Sequence, residues 1–220
     1  MLEVEAARIR EVLLSRDDVS PMLNVGSSTL AFRRDARPHI ERDLFAPLAK
    51  SGVVVVHSDL KPAEGVDVAG DVLDPDISAR LKAREFRCVL VANMLEHVRD
   101  RHAVAAACED IVGRGGLILA TVPGSYPYHA DPLDTLYRPE PEDLASLFRR
   151  SEPLLTEELA GPTYAQDLLA RGVSLWREAG HTALLLPVAW ARPRSVLSRI
   201  HRWRWLWRPY RVSLALLRVR

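Results

Sequence analysis

The sequence has little of what would mark a cysteine-held metal, a disulfide framework or a membrane span. Its 220 residues include only 2 cysteines, Cys88 and Cys108, and neither lies in a C-x-x-C spacing. No apolar run approaches the ~20 residues that a membrane-spanning helix needs. The first residues also lack the basic and then apolar profile of a signal peptide. These absences predict a cytoplasmic protein whose two thiols are buried.

Charge is balanced overall but unevenly spread along the chain. The formal net charge is +1, from 30 Lys and Arg against 29 Asp and Glu, so the whole molecule has no electrostatic reason to bind nucleic acid. Arginines are concentrated in the last segment. With 48% hydrophobic residues, the length suits one domain with a peripheral part. We predict a domain at residues 1–190 and a basic, tryptophan-rich extension at residues 191–220.

Apolar runs alternate with helical patterns along most of the chain, which predicts a layered α/β fold. Strand patterns lie at residues 22–25, 53–56, 66–72, 86–92, 117–122, 154–159 and 182–190. Helical patterns lie at residues 2–14, 77–85, 99–112, 141–149 and 166–176. The last two strands would close an antiparallel edge. The expected fold is a Rossmann-like, doubly wound and mostly parallel seven-stranded sheet with that antiparallel edge.

Acids and imidazoles follow two consecutive predicted strands. The strand at 86–92 leads into Asn93-Met94-Leu95-Glu96-His97, and the strand at 117–122 leads into a loop that contains His129, Asp131 and Asp134. Ligands of parallel α/β sheets gather at the carboxyl ends of the strands. We therefore expect these two segments to form one site.

In its order of motifs, residues 22–148 resemble the class I S-adenosylmethionine-dependent methyltransferases of the type 11-like group. The landmarks are Met-Leu-Asn-Val-Gly-Ser-Ser from residue 22, an acid after the second strand, Gly70-Asp71, the Asn93 segment and the Gly-Gly-Leu-Ile-Leu run from residue 115. The resemblance implies that S-adenosylmethionine binds at the turn around Gly26, with Asp59 on the ribose and Asp71 on the adenine. It also implies cofactor contacts from Asn24, Ser27, Ser28, Asn93 and Met94. The family usually has an acid at Asn24 and a glycine near Ser28.

The Glu96-His97 pair resembles part of a metal site in a subgroup of these enzymes. In metal-dependent O-methyltransferases of the ubiquinone pathway and of small RNAs the pattern is Glu-x-x-Glu-His, whereas here it is Asn-x-x-Glu-His. The resemblance implies that Glu96, His97 and His129 hold a divalent cation, Mg²⁺ or Mn²⁺, that lowers the pKa of a hydroxyl group. In the alternative, Glu96 caps a helix and His97 packs beneath the cofactor. His129 or His97 would then be the general base.

The loop after residue 122 also offers side chains for an acceptor. Tyr126, Tyr128 and Tyr137 would stack on a sugar, with Asp131 and Asp134 as polar contacts. Arg138 would fix an acidic loop residue such as Asp134. Alternatively, the aromatic residues only anchor the loop. We predict an O-methyltransferase of a sugar or polysaccharide hydroxyl. The alternatives are a metal-independent methyltransferase of a small natural product and a non-catalytic cofactor-binding module.

Tryptophan and arginine alternate in the extension, at Trp203, Trp205 and Trp207 and their neighbours. Such a mixture would suit peripheral contact with an anionic membrane. A homodimer interface, or a lid packed on the domain, would account for the same residues. Both interpretations stay open at the level of sequence.

Overall fold

A computed structural model describes residues 1–128, 133–185 and 193–220 of the chain. The helices are α1 (Glu3–Leu14), α2 (Pro75–Lys82), α3 (Arg101–Val112), α4 (Pro141–Ser146), α5 (Tyr164–Ala170), α6 (Leu175–Leu185) and α7 (Pro193–Arg202). The strands are β1 (Met22–Val25), β2 (Val55–Asp59), β3 (Val68–Ala69), β4 (Cys88–Ala92), β5 (Leu117–Ser125), β6 (Ser151–Thr163) and β7 (Pro209–Val219). Short helical turns fill residues 32–50 between β1 and β2.

The seven strands form one sheet in the order β3-β2-β1-β4-β5-β7-β6. Strands β1 to β5 run parallel, while β7 is antiparallel to both β5 and β6. Helices cover both faces because the inner strands β1 and β4 are apolar on both sides, so each face needs a cover. The predicted fold is therefore confirmed.

The prediction of the antiparallel strands is wrong in one place. Residues 182–185 lie in α6, not in a strand, and the rest of the predicted run at 182–190 lies outside the described residues. The antiparallel partner is β7, which lies within the predicted extension at 191–220. An apolar run does not reveal whether it is a helix or a strand. Here β7 pairs with β5 and β6 along its whole length, and that pairing decides its conformation.

Two hydrophobic cores lie on opposite faces of the sheet. On one face β4 and β5 pack against α2 and α3 through side chains such as Leu81, Val104 and Ile111. On the other face α1 and the turns of residues 32–50 contribute Ile9 and Leu44. Within the described residues, no helix combines the length and the apolar character that crossing a membrane requires.

Residues 164–208 form an insert between β6 and β7 that contains α5, α6 and α7. Because β5 and β6 are both antiparallel to β7, they run in the same direction, and both end at the same edge of the sheet. This edge also carries the carboxyl ends of β1, β2 and β4. The insert therefore begins at the edge where a ligand site of this kind of sheet is expected.

Candidate functional site

The turn after β1 is shaped by a glycine that no other residue could replace without strain. Gly26 has φ of +70°, and a Cβ built on it would lie 2.9 Å from Cγ of Met94. A positive φ is disfavoured for residues with a side chain. Met94 follows β4, so the structure brings together two of the predicted cofactor-binding residues.

Asp59, at the end of β2, faces the same turn. Its Oδ2 accepts a hydrogen bond of 2.7 Å from the backbone N–H of Ser28, and its Oδ1 accepts one of 2.8 Å from Leu60. Ser28 has φ of +57°, so a serine takes the backbone conformation that a glycine would adopt more easily. Each carboxylate oxygen keeps a further lone pair for a ribose hydroxyl.

A buried arginine holds the other side of this turn. Arg33 is 2% exposed. Its Nη1 donates to the carbonyl oxygens of Ser27, at 3.0 Å, and Ser28, at 2.8 Å, and its Nη2 donates to Gly65 at 2.8 Å. Burial lowers the pKa of Arg33. Sequence reasoning missed this residue because Phe-Arg-Arg-Asp-Ala-Arg has the composition of a solvated surface segment.

Asn24 stands where the resemblance expects an acid, and it contacts a histidine. The Asn24 side chain is buried, and its Nδ2 donates to Nδ1 of His57 at 3.1 Å. Burial lowers the pKa of His57 to about 4, and the positive charge of Arg33 adds to this effect. The ring is therefore neutral near pH 7, with its hydrogen on Nε2. Asn24 and His57 form a polar pair within β1 and β2, next to the turn.

Asp71, predicted to meet the adenine, lies exposed in the loop after β3. Its Oδ1 accepts a hydrogen bond of 2.9 Å from the backbone N–H of Leu73. This is a local turn contact, as short polar side chains often make in loops. The adenine contact stays a prediction.

A carboxylate from α1 joins the end of β4 to the middle of β5. Glu5 is fully buried. Its Oε1 accepts hydrogen bonds of 2.6 Å from Asn93 Nδ2 and 2.6 Å from Thr121 Oγ1, and its Oε2 accepts one of 3.0 Å from Leu2. Sequence reasoning missed Glu5, although it lies four residues before Ile9 on the apolar face of α1. An acid at such a position signals a buried partner.

Glu96, in the helical turn Leu95–His97 after β4, is fully buried. Among the described residues, neither of its carboxylate oxygens has a hydrogen-bond partner in another residue. Burial raises the pKa of Glu96 to about 7, and the nearby Glu5 carboxylate adds to the increase. The Nε2 atom of His97 lies 3.7 Å from Glu96 Oε1, and its Nδ1 donates to the carbonyl oxygen of Leu133. His97 thereby ties the loop after β4 to the loop after β5.

The described residues do not support the predicted metal centre. In residues 1–128, 133–185 and 193–220, no three His, Cys, Asp or Glu side chains are grouped so that they could hold a metal ion. Glu96 and His97 are adjacent, but the third predicted ligand, His129, lies outside the described residues, as does Asp131.

The predicted acceptor residues that the structure describes make contacts within the chain. Arg138 Nη2 donates to Asp134 Oδ2 at 2.6 Å, which confirms the expected pairing of these residues. The Arg101 guanidinium lies 4.3 Å from the ring centroid of Tyr137. Tyr126 packs on Tyr210 at 4.7 Å between ring centroids. Tyr128 is partly exposed. For Tyr126 and Tyr137, these are the loop-anchoring contacts of the alternative interpretation, and a role toward an acceptor stays a prediction.

Of the three tryptophans at residues 203–207, one contacts the end of β5 and one makes a contact within the insert. Trp205 Nε1 donates to Ser125 Oγ at 3.0 Å, and Trp203 Nε1 donates to Thr182 Oγ1 at 3.3 Å. A cavity of about 360 Å³ opens among its helices. The lining residues are Tyr164, Leu168, Arg171, Val173, Glu178, Arg199 and Arg202. The third tryptophan, Trp207, is 73% exposed.

Comparisons with known proteins support the fold. No family model matches the chain, and no curated protein matches it by sequence. Coclaurine N-methyltransferase bound to N-methylheliamine and SAH has a similar structure, with TM-score 0.55 and 12% identity over 98% of this chain and 70% of that one. A putative methyltransferase from Bacillus halodurans has TM-score 0.53 and 13% identity over 97% of this chain and 98% of that one.

The cyclase SpnF, whose described activity is not methyl transfer, is as similar in structure. Its TM-score is 0.55, with 13% identity over 97% of this chain and 81% of that one. Likeness at this level of identity concerns the fold and not the reaction. The chain has the Rossmann-like fold of the class I S-adenosylmethionine-dependent methyltransferases.

Proposed function

We propose that the protein is an S-adenosylmethionine-dependent methyltransferase whose cofactor binds at the turn of residues 26–28. The observation that carries this proposal is the position of Asp59. Its carboxylate lies at the end of β2, 2.7 Å from the backbone nitrogen of Ser28. An acid held beside the turn after β1 is what recognition of a ribose diol needs, because one carboxylate can accept from two hydroxyls.

The residues around the turn suit a cofactor of this shape. Gly26 keeps the turn free of a side chain, and Met94 offers an apolar wall on the other side. Arg33 immobilises the carbonyl groups of Ser27 and Ser28, so the turn is ordered before a ligand arrives. When bound, the cofactor supplies an electrophilic methyl group, and the protein has to position an acceptor and remove its proton.

For the acceptor, we keep the sugar or polysaccharide hydroxyl that the sequence predicts, with a small natural product as the alternative. The two ring nitrogens of His97 face Leu133 and Glu96, which favours a positioning role for this residue. His129 is therefore our candidate for the general base. A non-catalytic module is the other alternative, and its motivation is that Asn24 and Ser28 stand where the family usually has an acid and a glycine.

Replacing Asp59 by alanine should weaken S-adenosylmethionine binding by roughly 1.5 to 3 kcal/mol, the usual value of hydrogen bonds to a charged group. Isothermal titration calorimetry measures the effect directly. Asp76→Ala, which removes an exposed acid in the first turn of α2, is the matched control and should bind like the wild type. Absence of cofactor binding to the wild-type protein would refute the proposed function.

A divalent cation on Glu96, His97 and His129 also stays a prediction. If the cation is required, exhaustive EDTA treatment should abolish turnover, and added Mn²⁺ or Mg²⁺ should restore it. Equilibrium dialysis with Mn²⁺ supplies a second measurement that does not depend on knowing the acceptor, and His129→Ala should lower the bound fraction. Full turnover by the metal-free protein, together with no retained Mn²⁺, would leave a histidine acting as a base without a metal.

A further inference from the structure

The insert at residues 164–208 has a charge opposite to that of the rest of the chain. It contains eight arginines, no lysine and two acids, whereas the whole chain has a net charge of +1. Both acids are engaged: Asp167 pairs with Arg171 at 2.9 Å and Glu178 with Arg199 at 3.2 Å. The remaining arginines leave the insert strongly positive, so the rest of the molecule is negative.

Helix α6 of this insert buries an acidic side chain and exposes two large apolar ones. Glu178 is 7% exposed and faces the interior, where Tyr164 donates a hydrogen bond of 2.9 Å to it. Leu175 packs against the cluster of Tyr164 and Leu168, but Trp176 is 89% exposed and Leu184 is 75% exposed. A surface helix of a globular protein normally has the opposite arrangement. Position 177, next to Trp176 on the exposed side, is an arginine.

Two further apolar residues of the insert are more than half exposed. Leu169, on α5, is 65% exposed and Trp207 is 73% exposed. Trp203 and Trp205, by contrast, have hydrogen-bond partners within the fold. We name Leu169, Trp176, Leu184 and Trp207 the exposed apolar set. Single exposed hydrophobic residues are common on proteins, but several large ones on one positively charged segment indicate an interaction site.

We propose that the insert docks on the surface of an anionic lipid bilayer. Tryptophan rings favour the interface between head groups and hydrocarbon, and leucines favour the hydrocarbon below it. Arginines nearby pair with lipid phosphate groups and are attracted by the negative surface potential. The exposed apolar set would then lie in the bilayer interface, and the excess arginines would lie among the lipid phosphate groups.

The aliphatic members of the set favour lipid over nucleic acid. Both partners are anionic and both accept tryptophan, which stacks on bases. Leu169 and Leu184 have no comparable use on a nucleic acid, whereas in a bilayer each adds buried apolar area. A second copy of the chain that met this insert through its own insert would cover the apolar residues but would bring two positive segments together, which is unfavourable.

The proposal is tested by co-sedimentation of the full chain with vesicles of phosphatidylcholine alone and of phosphatidylcholine mixed with phosphatidylglycerol. We expect partitioning onto the mixed vesicles only, with a decrease at high salt. The double variant Trp176→Ser/Leu184→Ser should reduce partitioning at least tenfold. Arg177→Gln should reduce it about fivefold, since one arginine near such a surface contributes ~1 kcal/mol. Val54→Ser is the matched control, because Val54 is 60% exposed but lies outside the insert.

Three outcomes would overturn the proposal. The first is no binding of the wild type to mixed vesicles. The second is equal binding by the wild type and the double variant. The third is a dimer, detected by analytical ultracentrifugation without lipid, that the double variant loses, since this would assign the set to a second copy. If a labelled oligonucleotide binds and mixed vesicles do not, the insert is a nucleic-acid surface instead. None of these measurements depends on methyltransferase activity.

Discussion

Deletion of residues 209–220 is expected to leave the chain unfolded. These residues include β7, which lies between β5 and β6 and is the strand that joins β6 to the sheet. Leu214 and Leu216 face one hydrophobic core, and Leu217 and Val219 face the other. Losing a buried leucine alone costs about 2 to 5 kcal/mol, while a whole domain has about 5 to 15 kcal/mol of stability. The free energy lost with the strand therefore exceeds the free energy of unfolding of the whole domain.

Single substitutions make the prediction quantitative. Leu217→Ala and Leu216→Ala should each lower the free energy of unfolding by about 2 to 5 kcal/mol, measured by urea denaturation. Trp207→Ala, just before the strand, should change it by less than about 0.5 kcal/mol because the side chain is 73% exposed. A truncated chain that retains the native circular dichroism spectrum and a cooperative transition would show that residues 209–220 are the peripheral extension predicted from the sequence.

Acid should destabilise the protein through His57. Its pKa is lowered to about 4 in the folded chain, against about 6.5 in an unfolded one. The unfolded state therefore binds a proton first as the pH falls, and the stability that the neutral ring provides at pH 7 is lost between pH 6.5 and pH 4. The full difference corresponds to at most about 3 kcal/mol. NMR titration of the ring should give a midpoint near pH 4.

Two variants separate the effect of His57 on stability from the effects of the other groups that titrate in acid. In His57→Asn the side-chain oxygen can still accept from Asn24, but the ring charge is absent. Its stability relative to the wild type should therefore rise by up to about 3 kcal/mol from pH 7 to pH 4. Asn24→Asp places a carboxylate where the amide now lies 3.1 Å from Nδ1, so the NMR midpoint should move upward. A wild-type midpoint near pH 6.5 would contradict the neutral, buried ring.

The parallel strands could be predicted because each contains a short apolar run, and β1, β2 and β3 lead to Gly26, Asp59 and Gly70. Gly26 and Asp59 were placed correctly at the ends of β1 and β2 for this reason. The predicted strand at 154–159 lies within β6, but β7 could not be assigned in the same way. The run at 182–190 and the segment at 209–219 have similar composition, and only pairing with β5 and β6 distinguishes the second as a strand.

Contacts between site residues were predictable where the residues are neighbours in sequence or belong to the motifs that carry the resemblance. Glu96 and His97 are adjacent in sequence, and Arg138 is four residues from Asp134, so their contacts follow from local geometry. Glu5 reaches Thr121 across 116 positions and Arg33 reaches Gly65 across 32. No periodicity relates such pairs. Their hydrogen bonds exist because packing of α1 and of residues 32–50 on the sheet removes these side chains from water.

The sequence by itself determined the alternation of strands and helices, the balance of charge and the position of the turn at Gly26, because each depends on residues close together in the chain. Only the tertiary structure decided which acids are buried, since Glu5 and Glu96 are removed from water only by the packing of other segments around them. The same holds for the tryptophans. Trp203 and Trp205 hydrogen bond within the fold, while Trp176 and Trp207 remain in solvent. The burial of a side chain depends on which distant segments pack against it, and the local sequence does not specify those segments.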